Sequence, residues 1–283
     1  MAYTTLISTD DAYPHLHNPQ WVTIDCRYYL ENIQQGRHEY SQSHLPGALY
    51  ADLGENLSSP VVPGVTGRHP LPKVDTLSQT FSNWGIGKDT QVVVYDQGPG
   101  MIAVRLWWML RWLGHVKVAV LEGGWKKWRQ EAKPVTQETP TVTSQPFTAI
   151  VHAEFVADAD DIMANTANHN IKILDARAAD RYRGENETLD RIAGHIPGAL
   201  SAPFVNNLSD DGTFRPKEEL LDIYKAILGD TKARDAIIYC GSGVTAAHTV
   251  LALIHIGLGM ARLYPGSWSH WITDKQRPIA TGD

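Results

Sequence analysis

The strongest constraint on this chain is that it repeats itself. Ile24-Asp25-Cys26-Arg27, followed by His44-Leu45-Pro46-Gly47-Ala48, recurs as Leu174-Asp175-Ala176-Arg177, followed by His195-Ile196-Pro197-Gly198-Ala199, displaced by about 150 residues. Further on, Val92-Val93-Val94-Tyr95-Asp96 matches Ala236-Ile237-Ile238-Tyr239-Cys240, and Gly124-Trp125-Lys126-Lys127-Trp128 matches Ser267-Trp268-Ser269-His270-Trp271. Four anchors in the same order mean a duplication. The spacing is that of two whole domains; a solenoid would repeat at roughly 20–50 residues.

Each copy alternates strand and helix patterns. Val22–Asp25 and Lys172–Asp175 are short β-rich runs, and Gln91–Tyr95 and Ala236–Tyr239 are runs of strand length, apolar apart from the leading Gln91, the pattern of strands buried on both faces. Helical stretches follow over Ala103–Leu113 and Thr245–Ile256, then short strands over Val116–Leu121 and Ala261–Tyr264. The expected fold is therefore α/β: two tandem domains, each a mainly parallel sheet with helices on both faces. The domains are expected at 1–135 and 151–283. Residues 136–150 between them are rich in Pro and Thr, lack a helical period and read as an extended linker. Trp107, Trp108 and Trp112, at helical spacing among Leu106, Met109 and Leu110, read as packing residues.

Composition narrows the function. A formal net charge of −6 argues against a nucleic-acid partner, which needs a basic face. No apolar run approaches the roughly 20 residues that span a bilayer, and the N-terminal residues do not read as a signal peptide. Two cysteines in 283 residues do not make a disulfide scaffold. The expectation is a reduced, cytoplasmic protein, monomeric by default, without a membrane partner.

The chemistry concentrates in Tyr239-Cys240-Gly241-Ser242-Gly243-Val244-Thr245-Ala246-Ala247. A cysteine ends a buried strand, and a glycine-containing loop leads into a helix. Ligands of open parallel sheets bind at the carboxyl ends of strands. The helix start and a loop curled by glycine can turn backbone N–H groups on one point, an anion nest that stabilises a thiolate, the nucleophilic form of cysteine. Cys26 has no such loop after it and reads as structural. In the first copy Asp96 stands at the cysteine position, followed by Gln97-Gly98-Pro99-Gly100. A carboxylate cannot carry sulfur, so that copy reads as catalytically silent.

These residues resemble the rhodanese superfamily, specifically its two-domain sulfurtransferases, over nearly the whole chain. The loop Cys240-Gly241-Ser242-Gly243-Val244-Thr245 looks like that of the 3-mercaptopyruvate sulfurtransferases; thiosulfate sulfurtransferases usually carry Arg and Lys where Gly241 and Ser242 stand here. The resemblance implies a ping-pong transfer. Cys240 takes sulfur from 3-mercaptopyruvate, pyruvate leaves, and a thiol (small, or of a thioredoxin-like protein) or cyanide collects the sulfur from the persulfide. Ser242 is expected to hydrogen-bond the donor carbonyl, and the loop residues Gly241, Gly243, Val244 and Thr245 to cradle the sulfur. The resemblance also implies a carboxylate-binding arginine pair, matched by Arg181 and Arg191, with Arg105 a weaker candidate; a guanidinium fork suits a carboxylate. No cofactor and no metal are expected, since neither cysteine has the spacing of a zinc site. The two His-x-Pro-Gly-Ala segments, and Asp175 with Arg177, read as structural.

Three alternatives stay open at this point. Thiosulfate could be the preferred donor on the same scaffold. A cysteine phosphatase would need an arginine six residues after the cysteine, where Ala246 stands. A non-enzymatic sulfur-relay module would show no multiple turnover.

Overall fold

The structure, a computed structural model, describes residues 2–166 and 171–283. The chain divides into two compact units. One comprises Met1–Ser59, Leu71–His152 and Asp210–Phe214; the other comprises Pro60–Pro70, Ala153–Ser209 and Arg215–Asp283.

In the first unit the strands are β1 (Leu6–Ile7), β2 (Trp21–Asp25), β3 (Ala48–Tyr50), β4 (Gln91–Tyr95) and β5 (Val118–Leu121), interleaved with helices α1 (Thr9–Ala12), α2 (Gln35–Gln42), α3 (Val74–Asn83), α4 (Ala103–Trp112) and α5 (Gly124–Gln130). All pairings are parallel, in the order β1-β5-β4-β2-β3. The second unit holds α6 (Ala159–Thr166), β6 (Lys172–Asp175), α7 (Ala179–Arg183), β7 (Leu200–Ser201), α8 (Lys217–Leu228), β8 (Ala236–Tyr239), α9 (Ala246–His255), β9 (Arg262–Leu263) and α10 (Ser267–Trp271). Its sheet is again parallel, in the order β7-β6-β8-β9.

The apolar runs of β4 and β8 form the sheet centres, with every residue buried. In the second sheet the chain leaves β6 toward β7 on one side and β8 toward β9 on the other. The reversal falls between β6 and β8, and the carboxyl ends of strands at such a reversal are where open parallel sheets bind ligands. Trp107 and Trp108 are fully buried and Trp112 nearly so, which makes them packing residues of the first unit. Among the described residues no helix is long and apolar enough to cross a membrane.

The sequence repeat is also a repeat of bonding. Arg27 lies on the Asp25 carboxylate and donates to the Ser43 carbonyl, while Arg177 lies on Asp175 and donates to the Gly194 carbonyl. His44 pairs its Nδ1 with the Tyr40 carbonyl at 2.7 Å and stacks on the Tyr40 ring; His195 does the same with Tyr182 at 2.8 Å. The ion pairs brace the ends of β2 and β6, and the histidines tie the segments before β3 and β7 to α2 and α7. Arg105 is buried in the first unit and donates to the Leu57 carbonyl at 3.1 Å.

Cys26 is fully buried at the end of β2, and its N–H donates to the Tyr95 carbonyl at 2.7 Å. Burial, with the nearby carboxylates of Asp25 and Asp96, pushes its thiol well above the usual range. It cannot supply a thiolate near neutral pH. Cys26→Ala is expected to cost roughly 1 kcal/mol of stability and to leave the turnover expected of Cys240 within about twofold. Denaturant unfolding and a donor assay check both, and loss of most turnover would contradict the structural role.

Candidate functional site

Cys240 follows β8 directly and is 2% exposed. Its loop is fastened to the first turn of α10. The Cys240 N–H donates to Ser267 Oγ at 3.1 Å, and the N–H groups of Trp268 and Ser269 donate to the carbonyls of Cys240 and Gly241 at 3.0 and 2.9 Å. Ser267 holds a left-handed backbone (φ 53°) and donates its hydroxyl to the Tyr264 carbonyl at 2.9 Å, which offsets the strain of that conformation. Gly243 has φ 73°, and a Cβ there would lie 2.2 Å from the Pro265 carbonyl oxygen, so only glycine lets the loop approach this turn. Val244 is buried, and Thr245 is the N-cap of α9.

The first unit shows what such a loop does. The Asp96 carboxylate accepts four backbone N–H bonds: from Gly98 (3.1 Å) and Gly100 (3.0 Å) on Oδ1, and from Ile102 (2.7 Å) and Ala103 (3.1 Å) on Oδ2. It is nearly fully buried at 3% exposure. The loop after a central strand thus gathers amides on one anion, the convergence that the glycine pattern suggests. The α5 turn repeats the fastening, with the N–H groups of Trp125 and Lys126 donating to the carbonyls of Asp96 and Gln97.

Around Cys240 the second unit assembles polar groups from three stretches of chain. Ser242 Oγ lies 2.8 Å from Nδ1 of His69, both side chains buried. Arg181, on α7, rests its guanidinium on Glu187 (2.9 Å) and on Asp190 Oδ2 (3.2 Å), and Arg68 lies against Asp190 Oδ1. Burial alone would raise the Glu187 carboxyl. The N–H groups of Leu189 and Asp190 together with the Arg181 guanidinium outweigh it and hold Glu187 below the usual carboxylate range. Arg177 also reaches Glu187, at 3.3 Å. Charges therefore alternate along Asp175, Arg177, Glu187, Arg181, Asp190 and Arg68.

Of the expected site residues, the structure brings Arg181 to the Cys240 loop, its guanidinium nitrogens 3.5 and 3.6 Å from where a Gly241 Cβ would be. Arg191 is drawn elsewhere. Its Nη2 donates to the Ile272 carbonyl at 2.7 Å, an acceptor left open at the C-terminal end of α10. The arginine found with Arg181 at Gly241 is Arg68. Arg68 and His69 were not legible as site residues. They lie in a Pro- and Gly-rich stretch with no repeat signature, and only the length of the β3–α3 connection marks it as a loop with a purpose.

A parallel sheet with an amide-lined loop after its central strand, built twice and carrying a cysteine in the second copy, defines the class. The rhodanese-like domain model matches residues 8–131 and 158–274, and the chain belongs to that family. It is 43% identical over its full length, and the relative's full length, to the probable 3-mercaptopyruvate sulfurtransferase of Pseudomonas aeruginosa. It is 34% identical to the thiosulfate sulfurtransferase of Rattus norvegicus, covering 89% of this chain and 85% of the rat protein. The structure superposes on 3-mercaptopyruvate sulfurtransferase from Leishmania major with a TM-score of 0.84 at 30% identity, over 98% of this chain and 76% of that one.

Proposed function

We propose that this protein is a sulfurtransferase that moves a sulfur atom from 3-mercaptopyruvate to a thiol acceptor through a persulfide on Cys240, releasing pyruvate. The observation that carries this reading is the nest. In the first unit the loop closes four amides on the Asp96 carboxylate; in the second unit the residue at the same place is a cysteine. A thiolate or persulfide anion at Cys240 receives the amides that the carboxylate receives in the other copy.

The transfer balances with thiols alone. The Cys240 thiolate attacks the donor sulfur; an S–S bond forms and the donor C–S bond breaks. The electron pair leaves on the carbon fragment as pyruvate enolate, which takes up a proton to give pyruvate. The persulfide keeps the donor sulfur until an acceptor thiolate attacks it, forming the acceptor persulfide and returning the Cys240 thiolate. Splitting the reaction in this way is covalent catalysis. The Ser242 hydroxyl, held by His69, stands two residues from the nucleophile, where it hydrogen-bonds the oxygen on which enolate charge develops. Arg181 holds the donor carboxylate. The acceptor is a small thiol or the thiol of a thioredoxin-like protein. A reducing compartment such as the cytoplasm suits two free cysteines, one of them a working thiolate.

Thiosulfate is the second reading, favoured by the name of the rat relative. It is the weaker one, because the loop that follows Cys240, Gly241-Ser242-Gly243-Val244-Thr245, carries no cation of its own to face a dianion at the sulfur.

Relative rates with the two donors test the proposal: kcat/KM for 3-mercaptopyruvate is expected to exceed that for thiosulfate, and the reverse order would replace the donor. Arg181→Ala is expected to raise KM for 3-mercaptopyruvate by about 10- to 100-fold, the loss of a charge-assisted hydrogen bond. An unchanged donor dependence would remove Arg181 from the site.

A further inference from the structure

The role expected of Arg191 passes to a residue from a different part of the sequence. We infer that Arg68 is the second donor-carboxylate ligand, acting beside Arg181, and that Gly241 is glycine because the Arg68 guanidinium occupies the space a side chain there would take. This assignment rests on the proposed 3-mercaptopyruvate reading and deepens it.

The geometry has three parts. Arg68 Nη2 stands 2.7 Å from the position of a Gly241 Cβ, closer than either Arg181 nitrogen. Any side chain after Cys240 would have to push this guanidinium away from the loop. Asp190 bridges the two arginines, with Oδ1 on Arg68 and Oδ2 on Arg181, so a carboxylate already spans the pair and shows that the two forks lie close enough to share one. Asp190 and Glu187 are buried, at 4% and 2% side-chain exposure, whereas Arg68 and Arg181 keep 29% and 17%. The acids lie beneath and the guanidiniums remain open to an incoming ligand.

The backbone explains why Arg68 holds this place. Its N–H donates to Ser269 Oγ at 3.0 Å, and a Cβ on Gly67 would lie 2.6 Å from the Gly266 carbonyl oxygen. The stretch Gly67-Arg68-His69 therefore lies flush against the turn that fastens the Cys240 loop. One short segment thus delivers a cation for the carboxylate and, through His69, a partner for Ser242. A cation on a separate segment does what an arginine following the cysteine could not: it binds the end of the donor remote from the sulfur while the loop stays small.

Steady-state kinetics of Arg68→Met and Arg68→Lys with 3-mercaptopyruvate test this, together with inhibition by pyruvate and the single-turnover discharge of preformed persulfide by 2-mercaptoethanol. Arg68→Met is expected to raise KM and the pyruvate inhibition constant in parallel, by about 10- to 100-fold. Arg68→Lys should fall between it and the wild type, since lysine keeps the charge but loses the fork. Discharge to the uncharged thiol should stay within about twofold, because that step involves no carboxylate. Unchanged KM and inhibition constants in Arg68→Met would overturn the assignment. So would equal losses in loading and discharge, the result of a merely loosened loop. A wild-type protein that takes no sulfur from 3-mercaptopyruvate would overturn the 3-mercaptopyruvate reading itself, and the assignment with it.

Discussion

Cys240→Ala is expected to lower sulfur-transfer turnover by at least about a thousandfold, because removal of a covalent nucleophile deletes the pathway and not merely a contact. No other group can stand in. The remaining cysteine, Cys26, is fully buried with its thiol pushed up by burial and two carboxylates, and it belongs to the first unit. The fold should survive, since the substitution removes one sulfur atom from a loop fastened by backbone bonds to Ser267, Trp268 and Ser269. Steady-state assay beside thermal unfolding separates the two effects. Retained turnover in a folded Cys240→Ala protein would end the persulfide mechanism.

Arg177→Met should be the most destabilising of the substitutions considered, costing about 3–5 kcal/mol, the usual penalty for stripping the partner from a buried charge. Asp175 and Arg177 are 0% and 1% exposed, and the guanidinium also holds the Gly194 carbonyl at 2.7 Å. Without it the Asp175 carboxylate is left buried with no cation. Such a loss is a large part of a domain's total stability of roughly 5–15 kcal/mol. Denaturant unfolding should show the transition of the second unit moving to lower denaturant while the first, with its own Asp25–Arg27 pair, keeps its midpoint. The double replacement Asp175→Leu/Arg177→Met should recover much of the loss, because it removes the uncompensated charge. A cost below about 1 kcal/mol for Arg177→Met would show that the pair is not the brace described here.

The parts of this molecule that could be read from sequence are those encoded by contiguous residues. Val92–Tyr95 and Ala236–Tyr239 are apolar without interruption because both faces of a central strand are buried, and the structure places strands over Gln91–Tyr95 and Ala236–Tyr239. The Asp-x-Arg pairs are local, two residues apart, and fold onto themselves in both units. Arg181 stands one turn into the helix that follows β6, close to a strand end that the repeat marks. Strands of two residues such as Leu6–Ile7 and Leu200–Ser201 carry no period to detect, and their pairing is set by neighbours distant in sequence. Arg191 falls in the region where the resemblance implies an arginine, but a resemblance cannot tell that the open Ile272 carbonyl lies within its reach. Arg68 and His69 were hidden for a related reason. They reach Gly241 and Ser242 across more than half the chain, and nothing local in Gly67-Arg68-His69-Pro70 announces that destination.

The most direct measurement is the intact mass of the reduced protein after brief exposure to 3-mercaptopyruvate or to thiosulfate, before and after reductant, with Cys240→Ala run in parallel. The expected result is a gain of one sulfur atom, faster from 3-mercaptopyruvate, reversed by reductant and missing from Cys240→Ala. A protein that gains no sulfur from either donor, or that gains it equally without Cys240, would contradict a persulfide on Cys240 as the carrier.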